Sequence, residues 1–155
     1  MASLNPKLDL IRCPIRKRHV QSTSEERVRC ALLSMMIEER GYPPSLIVVE
    51  RKVTELLGSF QPKGEVPNRR VDILCYLPTL TPLLLIECKA VALSAKAMAQ
   101  VLSYNHYIGA HFVAIANSTE LRVVPASPWA EACMQSNPAL FENYLPSYNT
   151  FVLQK

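Results

Sequence analysis

The sequence predicts a mixed α/β domain in which helices cover a central sheet. Two segments carry apolar residues at the helical period, and four shorter segments are strand-like apolar runs. Their order is helix, three strands, helix, strand, which is typical of helices packed against one mixed sheet. A chain of 155 residues, 49% of them hydrophobic, is long enough to bury one such core.

The first helix is predicted from about residue 25 to residue 40. Thr23 or Ser24 can cap its start, and Gly41 with the following Pro43 ends it. At about 100° per residue, four apolar residues share one side of this helix: Val28, Leu32, Met35 and Met36.

The remaining elements follow from short apolar runs between turn residues. Strands are predicted at about residues 46–53, 70–77, 83–89 and 111–116, with a short edge strand near 121–124. A second helix is predicted at 94–107, ended by Gly109. The first two strands are joined by a polar connection that ends near Pro67. The proline-containing tail predicts only short helical pieces and a last strand near 150–153.

These elements divide the chain into three parts. Residues 1–21 are expected to form a basic N-terminal arm, residues 22–124 the core, and residues 125–155 an extension that packs on the core. Five cysteines without a C-x-x-C pair indicate a reduced, cytoplasmic protein that lacks structural zinc. No apolar run reaches the length of a membrane span, so we expect no membrane partner.

Two acids inside apolar runs, with a lysine beside one of them, are the most informative feature of the sequence. Asp72 interrupts the second strand, and Glu87 and Lys89 share one side of the third because strand side chains alternate. Ionised groups are rarely left inside a core without a partner. This arrangement indicates a divalent-metal site that cleaves phosphodiester bonds.

A hairpin between the second and third strands would bring the acids together. We place the centre of its turn at the Thr79–Leu80 bond, which sets Tyr76 opposite Leu83. The same register sets Asp72 directly opposite Glu87. Cross-strand partners have Cβ atoms about 5 Å apart on one face, close enough for both carboxylates to hold the same cation. A β-bulge would break this count.

Other charged residues have simpler interpretations as alternatives. Two basic clusters occur, one of Arg16, Lys17 and Arg18 and one of Arg69 and Arg70. Such clusters can contact phosphates, and the alternative is that they form a solvated basic surface. The net charge of +4 is too small to predict nucleic-acid binding by itself. Glu50 ends an apolar strand and is interpreted as an edge charge rather than a ligand.

Several motifs occur in one order between about residues 15 and 117. They are Arg16-Lys17-Arg18, Glu25-Glu26-Arg27-Val28-Arg29, Gly41-Tyr42-Pro43, Arg70-Val71-Asp72-Ile73, Ile86-Glu87-Cys88-Lys89-Ala90 and Gln100-x-x-x-Tyr104-Asn105. Together they resemble the PD-(D/E)xK nuclease superfamily. More closely, they are similar to small proteins related to the N-terminal nuclease domain of type I restriction enzyme R subunits. Val71 departs from the superfamily pattern, which has proline there.

The resemblance implies a restriction-endonuclease-like fold with Asp72 and Glu87 as metal ligands. It also implies that Lys89 lies near the scissile phosphate and that an acid from the first helix completes the site. Mg²⁺ suits such carboxylate ligands, and Mn²⁺ can substitute. We prefer Glu25 to Glu26 as the helix acid because Glu25 lies over the apolar stripe. In the alternative, either acid only favours the helix N-terminus.

The resemblance further implies that Gln100 and Tyr104 support catalysis. In the alternative, these two side chains simply cover the sheet with their polar tips exposed. A metal-dependent DNA endonuclease is the leading prediction. The sequence has no G-x-x-x-x-G-K-[ST] motif, so separate restriction or helicase subunits would have to supply any motor.

Two other functions use the same residues. The first is a catalytically inactive nucleic-acid-binding module or a subunit of a larger DNA-processing complex. The second is a nuclease that cuts RNA. A homodimer would help to make double-strand cuts, but no segment of the sequence identifies its interface.

Overall fold

A computed structural model describes residues 9–57, 63–142 and 144–153 of the chain. Five strands form one mixed sheet in chain order: β3 (Ile47–Lys52), β4 (Arg70–Tyr76), β5 (Pro82–Cys88), β6 (Phe112–Ala116) and β7 (Leu121–Pro125). A separate two-stranded sheet contains β1 (Leu10–Cys13) and β2 (Arg18–Gln21). The helices are α1 (Ser24–Glu38), α2 (Val53–Leu56), α3 (Ala95–Ile108), α4 (Pro128–Ser136) and α5 (Tyr148–Val152). The predicted mixed α/β fold class is confirmed.

The connection between β5 and β6 determines how the sheet is built. These two strands are parallel, whereas all other neighbours in the five-stranded sheet are antiparallel. A parallel pair needs a crossover connection, which α3 provides. The backbone N–H of Lys89 donates to the carbonyl of Ala116 at 2.8 Å and so extends the pairing of β5 with β6 by one residue. Lys89 is therefore fixed to the sheet although it follows the end of β5.

The predicted hairpin register holds at the site and fails near the turn. Ile73 pairs with Ile86 and Cys75 with Leu84, so one further step places Asp72 opposite Glu87 as predicted. The register shifts between Cys75 and Tyr76, and Tyr76 pairs with Pro82 instead of Leu83. Counted from the observed pairing at the turn, Asp72 would lie opposite Ile86, and the shift between Cys75 and Tyr76 moves it opposite Glu87.

Helix ends follow the capping residues in the sequence. The Thr23 hydroxyl accepts the backbone N–H of Glu26 at 3.1 Å, and the Ser94 hydroxyl accepts that of Ala97 at 3.1 Å. Gly109 ends α3 in the left-handed conformation with φ +77°, which an L side chain rarely adopts. Both helices contact β5, the strand that carries Glu87.

Two apolar clusters bury the sheet. One includes Leu33 and Met36 of α1 with Phe151 of α5, and the other includes Val101 and Ile108 of α3. No helix in the described ranges is long and apolar enough to cross a membrane. The described part of the C-terminal extension thus contributes to the first cluster.

The structure differs from the prediction in three places. The described part of the arm forms the β1–β2 hairpin, and the short helix α2 follows β3. The strand predicted near 150–153 is wrong: this segment lies in α5, because Tyr148 and Phe151, three residues apart, both bury their rings on one helical side. Parts of the predicted arm (1–8), connection (58–62) and extension (143, 154–155) lie outside the described residues.

Candidate active site

Asp72 and Glu87 lie next to each other where β4 begins and β5 ends. Asp72 is only 6% exposed, and its Oδ2 atom accepts the backbone N–H of Cys88 at 2.7 Å. Burial, followed by the negative charge of Asp72, raises the pKa of Glu87 to about 8. The register of β4 and β5 thus brings the two carboxylates together.

Lys89 accompanies this pair on the same side of β5. Its Nζ atom lies 3.8 Å from Oε1 of Glu87, and its side chain is 23% exposed. The positive charge of Lys89 opposes the rise in the pKa of Glu87 but does not cancel it. The charge of Lys89 therefore compensates only part of the negative charge of the two carboxylates. Its side chain also remains accessible to solvent.

Arg29 of α1 is a buried cation that the sequence analysis did not assign to the site. Its guanidinium is bonded to carboxylates from three elements: Glu26 of α1, Glu50 of β3 and Asp72 of β4. Burial alone would lower the pKa of Arg29, but the charges of Asp72, Glu50 and Glu26 raise it above its ordinary value. We call these four residues the arginine cluster.

The two acids at the start of α1 have different environments. Glu26 pairs with Arg29 and also with Arg16, so its carboxylate is held within the protein. Glu25 is exposed, and its negative charge contributes to the raised pKa of Glu87. Glu25 thus lies on the side of the carboxylate pair, and its choice over Glu26 as the acid of the site remains a prediction.

Glu50 departs from the simple edge charge that the sequence suggested. Its backbone is left-handed with φ +57°, and its Oε1 atom accepts from Arg29 Nη2 at 2.7 Å. The β3–β4 ladder pairs Val49 with Ile73 and Arg51 with Val71, which leaves Glu50 beside Asp72. Burial raises the pKa of Glu50. The charge of Arg29 lowers this pKa and the charge of Asp72 raises it, and the net shift is upward.

Gln100 and Tyr104 lie one turn apart on α3, which packs on β5 and β6. Tyr104 is buried, and the guanidinium of Arg69 stacks over its ring at 5.0 Å from the centroid. Among the described hydrogen bonds, none joins the side chain of Gln100 or Tyr104 to the carboxylate pair. The supporting role of Gln100 and Tyr104 stays a prediction. The stacking also places Arg69 beside Tyr104.

The predicted basic contacts separate into exposed and internally bonded residues. Lys17 and Arg18 are exposed in the β1–β2 hairpin, and Arg69 is exposed before β4. Arg16 is directed inward, where it pairs with Glu26 and donates from Nε to the Cys13 sulfur at 3.2 Å. Arg70 donates to the carbonyl of Glu50 at 2.9 Å. In this arrangement Lys17, Arg18 and Arg69 are the predicted basic residues that remain free to meet a phosphate.

An open cavity of about 720 Å³ lies beside the start of α1. Its lining includes Ser24 and Ala31 of α1, Ala90, and the 117–120 turn before β7. Ser24 precedes Glu25, and Ala90 follows Lys89, so the cavity borders the candidate site along the chain. Both apolar and polar side chains line it.

The carboxylate pair fits a magnesium ion by its chemistry. Among residues 9–57, 63–142 and 144–153, no three acidic, histidine or cysteine side chains form a ready-made ligand group, and Glu25 as the acid that completes the site stays a prediction. Mg²⁺ is usually held by one or two carboxylates together with waters and substrate phosphates. Asp72 and Glu87 supply such a pair on the adjacent strands β4 and β5.

Comparison with known protein families identifies a family to which this chain is similar. A family model described as the type I restriction enzyme R protein N terminus (HSDR_N) matches residues 24–135. The matched range begins at α1 and extends into α4, so it contains the carboxylate pair, Lys89 and the arginine cluster. No curated protein matches the chain.

Proposed function

Since the chain belongs to the family of type I restriction enzyme R protein N termini, we propose that it is a metal-dependent DNA endonuclease of the PD-(D/E)xK type. The observation that carries the proposal is the placement of Asp72 opposite Glu87 on adjacent strands, with Nζ of Lys89 3.8 Å from Glu87. Asp72 and Glu87 would hold the Mg²⁺ ion, and Mn²⁺ would replace it. When bound, the ion would supply Lewis-acid chemistry to the phosphate and to the attacking water.

The chain's own residues would position the phosphate and balance its charge. Lys89, with an exposed fraction of 23%, would donate from Nζ to a non-bridging phosphate oxygen and stabilise the negative charge that develops there. Asp72 is fixed through both oxygens, by Arg29 and by the Cys88 N–H, so it would hold its position during the reaction. Glu25, exposed at the start of α1, would orient solvent near the pair.

Substrate binding would use the exposed cations around this site. Arg69 is held by its stacking on Tyr104 and would contact a backbone phosphate, as would Lys17 and Arg18. The cavity beside α1 has room for a nucleotide next to the cleaved bond. The family is named for the R protein of type I restriction enzymes, so we propose separate restriction or helicase subunits as partners.

A digestion assay with matched variants tests this proposal. Wild-type protein should cut DNA in Mg²⁺ or Mn²⁺ but not in EDTA. Lys89→Met keeps the apolar stem and removes the amine, so it should lower the rate by roughly 100-fold or more. Lys96→Met, at an exposed position of α3, is the control and should retain the wild-type rate. Equal rates in all three proteins would trace the cleavage to a contaminant and overturn the proposal.

A catalytically inactive nucleic-acid-binding module is the second candidate. The ion pair between Arg29 and Asp72 favours it, since a buried guanidinium already neutralises part of the carboxylate's charge. This module would bind DNA in EDTA and would release no heat with Mn²⁺. Parallel digestion of DNA and RNA of the same sequence separates the proposed DNA endonuclease from a nuclease that cuts RNA.

A further inference from the structure

The charges of the arginine cluster do not balance, even when Arg16, the second partner of Glu26, is counted with it. Arg29 and Arg16 contact three carboxylates, those of Glu26, Glu50 and Asp72. Two positive charges thus meet three negative charges, and one negative charge is left over. Without Glu50, the remaining two carboxylates and two arginines would be neutral, with Asp72 paired to Arg29. Glu50 therefore supplies the excess negative charge next to Asp72.

The backbone of Glu50 is held in an unfavourable conformation. A non-glycine residue in the left-handed region is strained and persists only where its surroundings enforce it. Here two arginines do so: Arg70 donates to the Glu50 carbonyl at 2.9 Å, and Arg29 donates to its carboxylate at 2.7 Å. The conformation directs the carboxylate of Glu50 onto the same guanidinium nitrogen, Nη2 of Arg29, that bonds Asp72.

Glu50 and Asp72 share the positive charge of Arg29 through one nitrogen. Nη2 carries two hydrogens, so it can donate one to each carboxylate, and the two carboxylates divide the attraction of a single positive charge. Arg29 therefore neutralises Asp72 less than it would if Asp72 were its partner alone, and negative charge remains beside Glu87. The Glu50 side chain is itself 32% exposed, so it can hold this excess charge at a lower desolvation cost than fully buried Asp72 could.

We propose that Glu50 is a positioning residue that keeps Asp72 available to a divalent cation by sharing Arg29 with it. This inference rests on the proposed function, because it concerns the cation that Asp72 and Glu87 would hold. Glu50 contributes negative charge from outside the ligand pair. Partners of this kind, behind the ligands themselves, change metal affinity by about 10- to 100-fold when they are removed.

Calorimetric titration with Mn²⁺ alone tests the inference without relying on cleavage. Glu50→Gln keeps the length of the side chain and its acceptor oxygen but removes the charge. We expect it to weaken Mn²⁺ binding about 10-fold or more, while Glu50→Asp, which keeps the charge, stays within about threefold of the wild type. Glu131→Gln, an exposed position of α4, is the matched control and should bind as the wild type does.

Kinetics and stability separate a positioning role from a merely structural one. The Mg²⁺ concentration that gives half the maximal cleavage rate should rise in Glu50→Gln, whereas the rate at saturating Mg²⁺ should change by no more than about threefold. Wild-type Mn²⁺ affinity in folded Glu50→Gln would overturn the inference alone. If Glu50→Gln unfolds, Glu50→Asn serves as the second neutral variant, and wild-type affinity there has the same meaning. Absence of Mn²⁺ binding in the wild type would overturn both this inference and the proposed function.

Discussion

Replacing Arg29 with methionine should destabilise the protein strongly. Arg29 is 5% exposed and is the shared partner of three carboxylates, of which Asp72 and Glu26 are largely buried. Methionine has a similar apolar stem but no charge, so these carboxylates would stay in the interior with less compensation. Removing one partner of a buried ion pair costs about 3–5 kcal/mol, because the other charge remains buried.

The structure favours the lower half of that range. Glu26 keeps Arg16 as a second partner, and Glu50 is partly exposed to water, so Asp72 bears most of the loss. We therefore expect a loss of about 3–4 kcal/mol in the free energy of unfolding. For a domain of this size, such a loss lowers the melting temperature by roughly 10 °C.

Urea unfolding of matched variants measures this loss. Arg27→Met changes the same residue type two positions earlier in α1, where the side chain is exposed. A surface change of this kind should alter stability by no more than about 0.5 kcal/mol. If the two variants have equal unfolding free energies, the arginine cluster does not stabilise the fold and our account of it is wrong.

Two further predictions concern Glu87 and the cavity. The folded protein raises the pKa of Glu87 from 4.5 to about 8, so it binds the proton of this carboxyl more tightly than the unfolded chain does. The stability gained from this proton is fully present below pH 4.5 and is lost as the pH rises through 8. In EDTA, wild type should therefore lose roughly 3 kcal/mol more than Glu87→Gln between pH 5 and pH 8, and parallel urea-unfolding profiles would contradict this. Ala31→Trp, which fills the cavity from an exposed helix position, should raise KM for DNA about 10-fold or more, whereas Ala132→Trp on α4 should not. Equal KM values would exclude the cavity from substrate binding.

Much of the fold could be predicted from periodicity and turn residues. The apolar strands and the two capped helices lie where the sequence placed them, within one or two residues. The acidic pair was correctly aligned because two deviations cancel: Tyr76 pairs with Pro82 instead of Leu83, and the register shift between Cys75 and Tyr76 restores the predicted count. The family likeness was also confirmed, since the matched range contains the motifs around Asp72 and Glu87.

The arginine cluster was missed for a physical reason. Arg29 follows Glu26 by three residues, a spacing typical of a surface ion pair on a helix. Yet the helical period also places Arg29 on the side of Leu33 and Met36, both fully buried, and this signal could have identified it as an internal cation. Three acids surround Arg29 only because strand pairing and the packing of α1 bring them together. A local sequence pattern contains no information on these contacts.

Glu50 had no comparable signal in the sequence. A glutamate at the end of an apolar strand is ordinarily an exposed edge charge, and glutamate has no special preference for φ +57°. Its conformation depends on Arg29 and Arg70, which come from different elements. α5 was missed in a similar way, because the apolar run Phe151-Val152-Leu153 suggests a strand until the burial of Tyr148 and Phe151 on one helical side is known.

Mn²⁺ titration of wild type beside Asp72→Asn tests the central claim, that Asp72 and Glu87 form a cation site, most directly. Asparagine keeps the shape of Asp72 and an oxygen that can accept the Cys88 N–H, so the fold should survive. We expect the wild type to bind one Mn²⁺ ion and Asp72→Asn to lose that binding. Equal heats of binding in the two folded proteins, or none in the wild type, would contradict the claim.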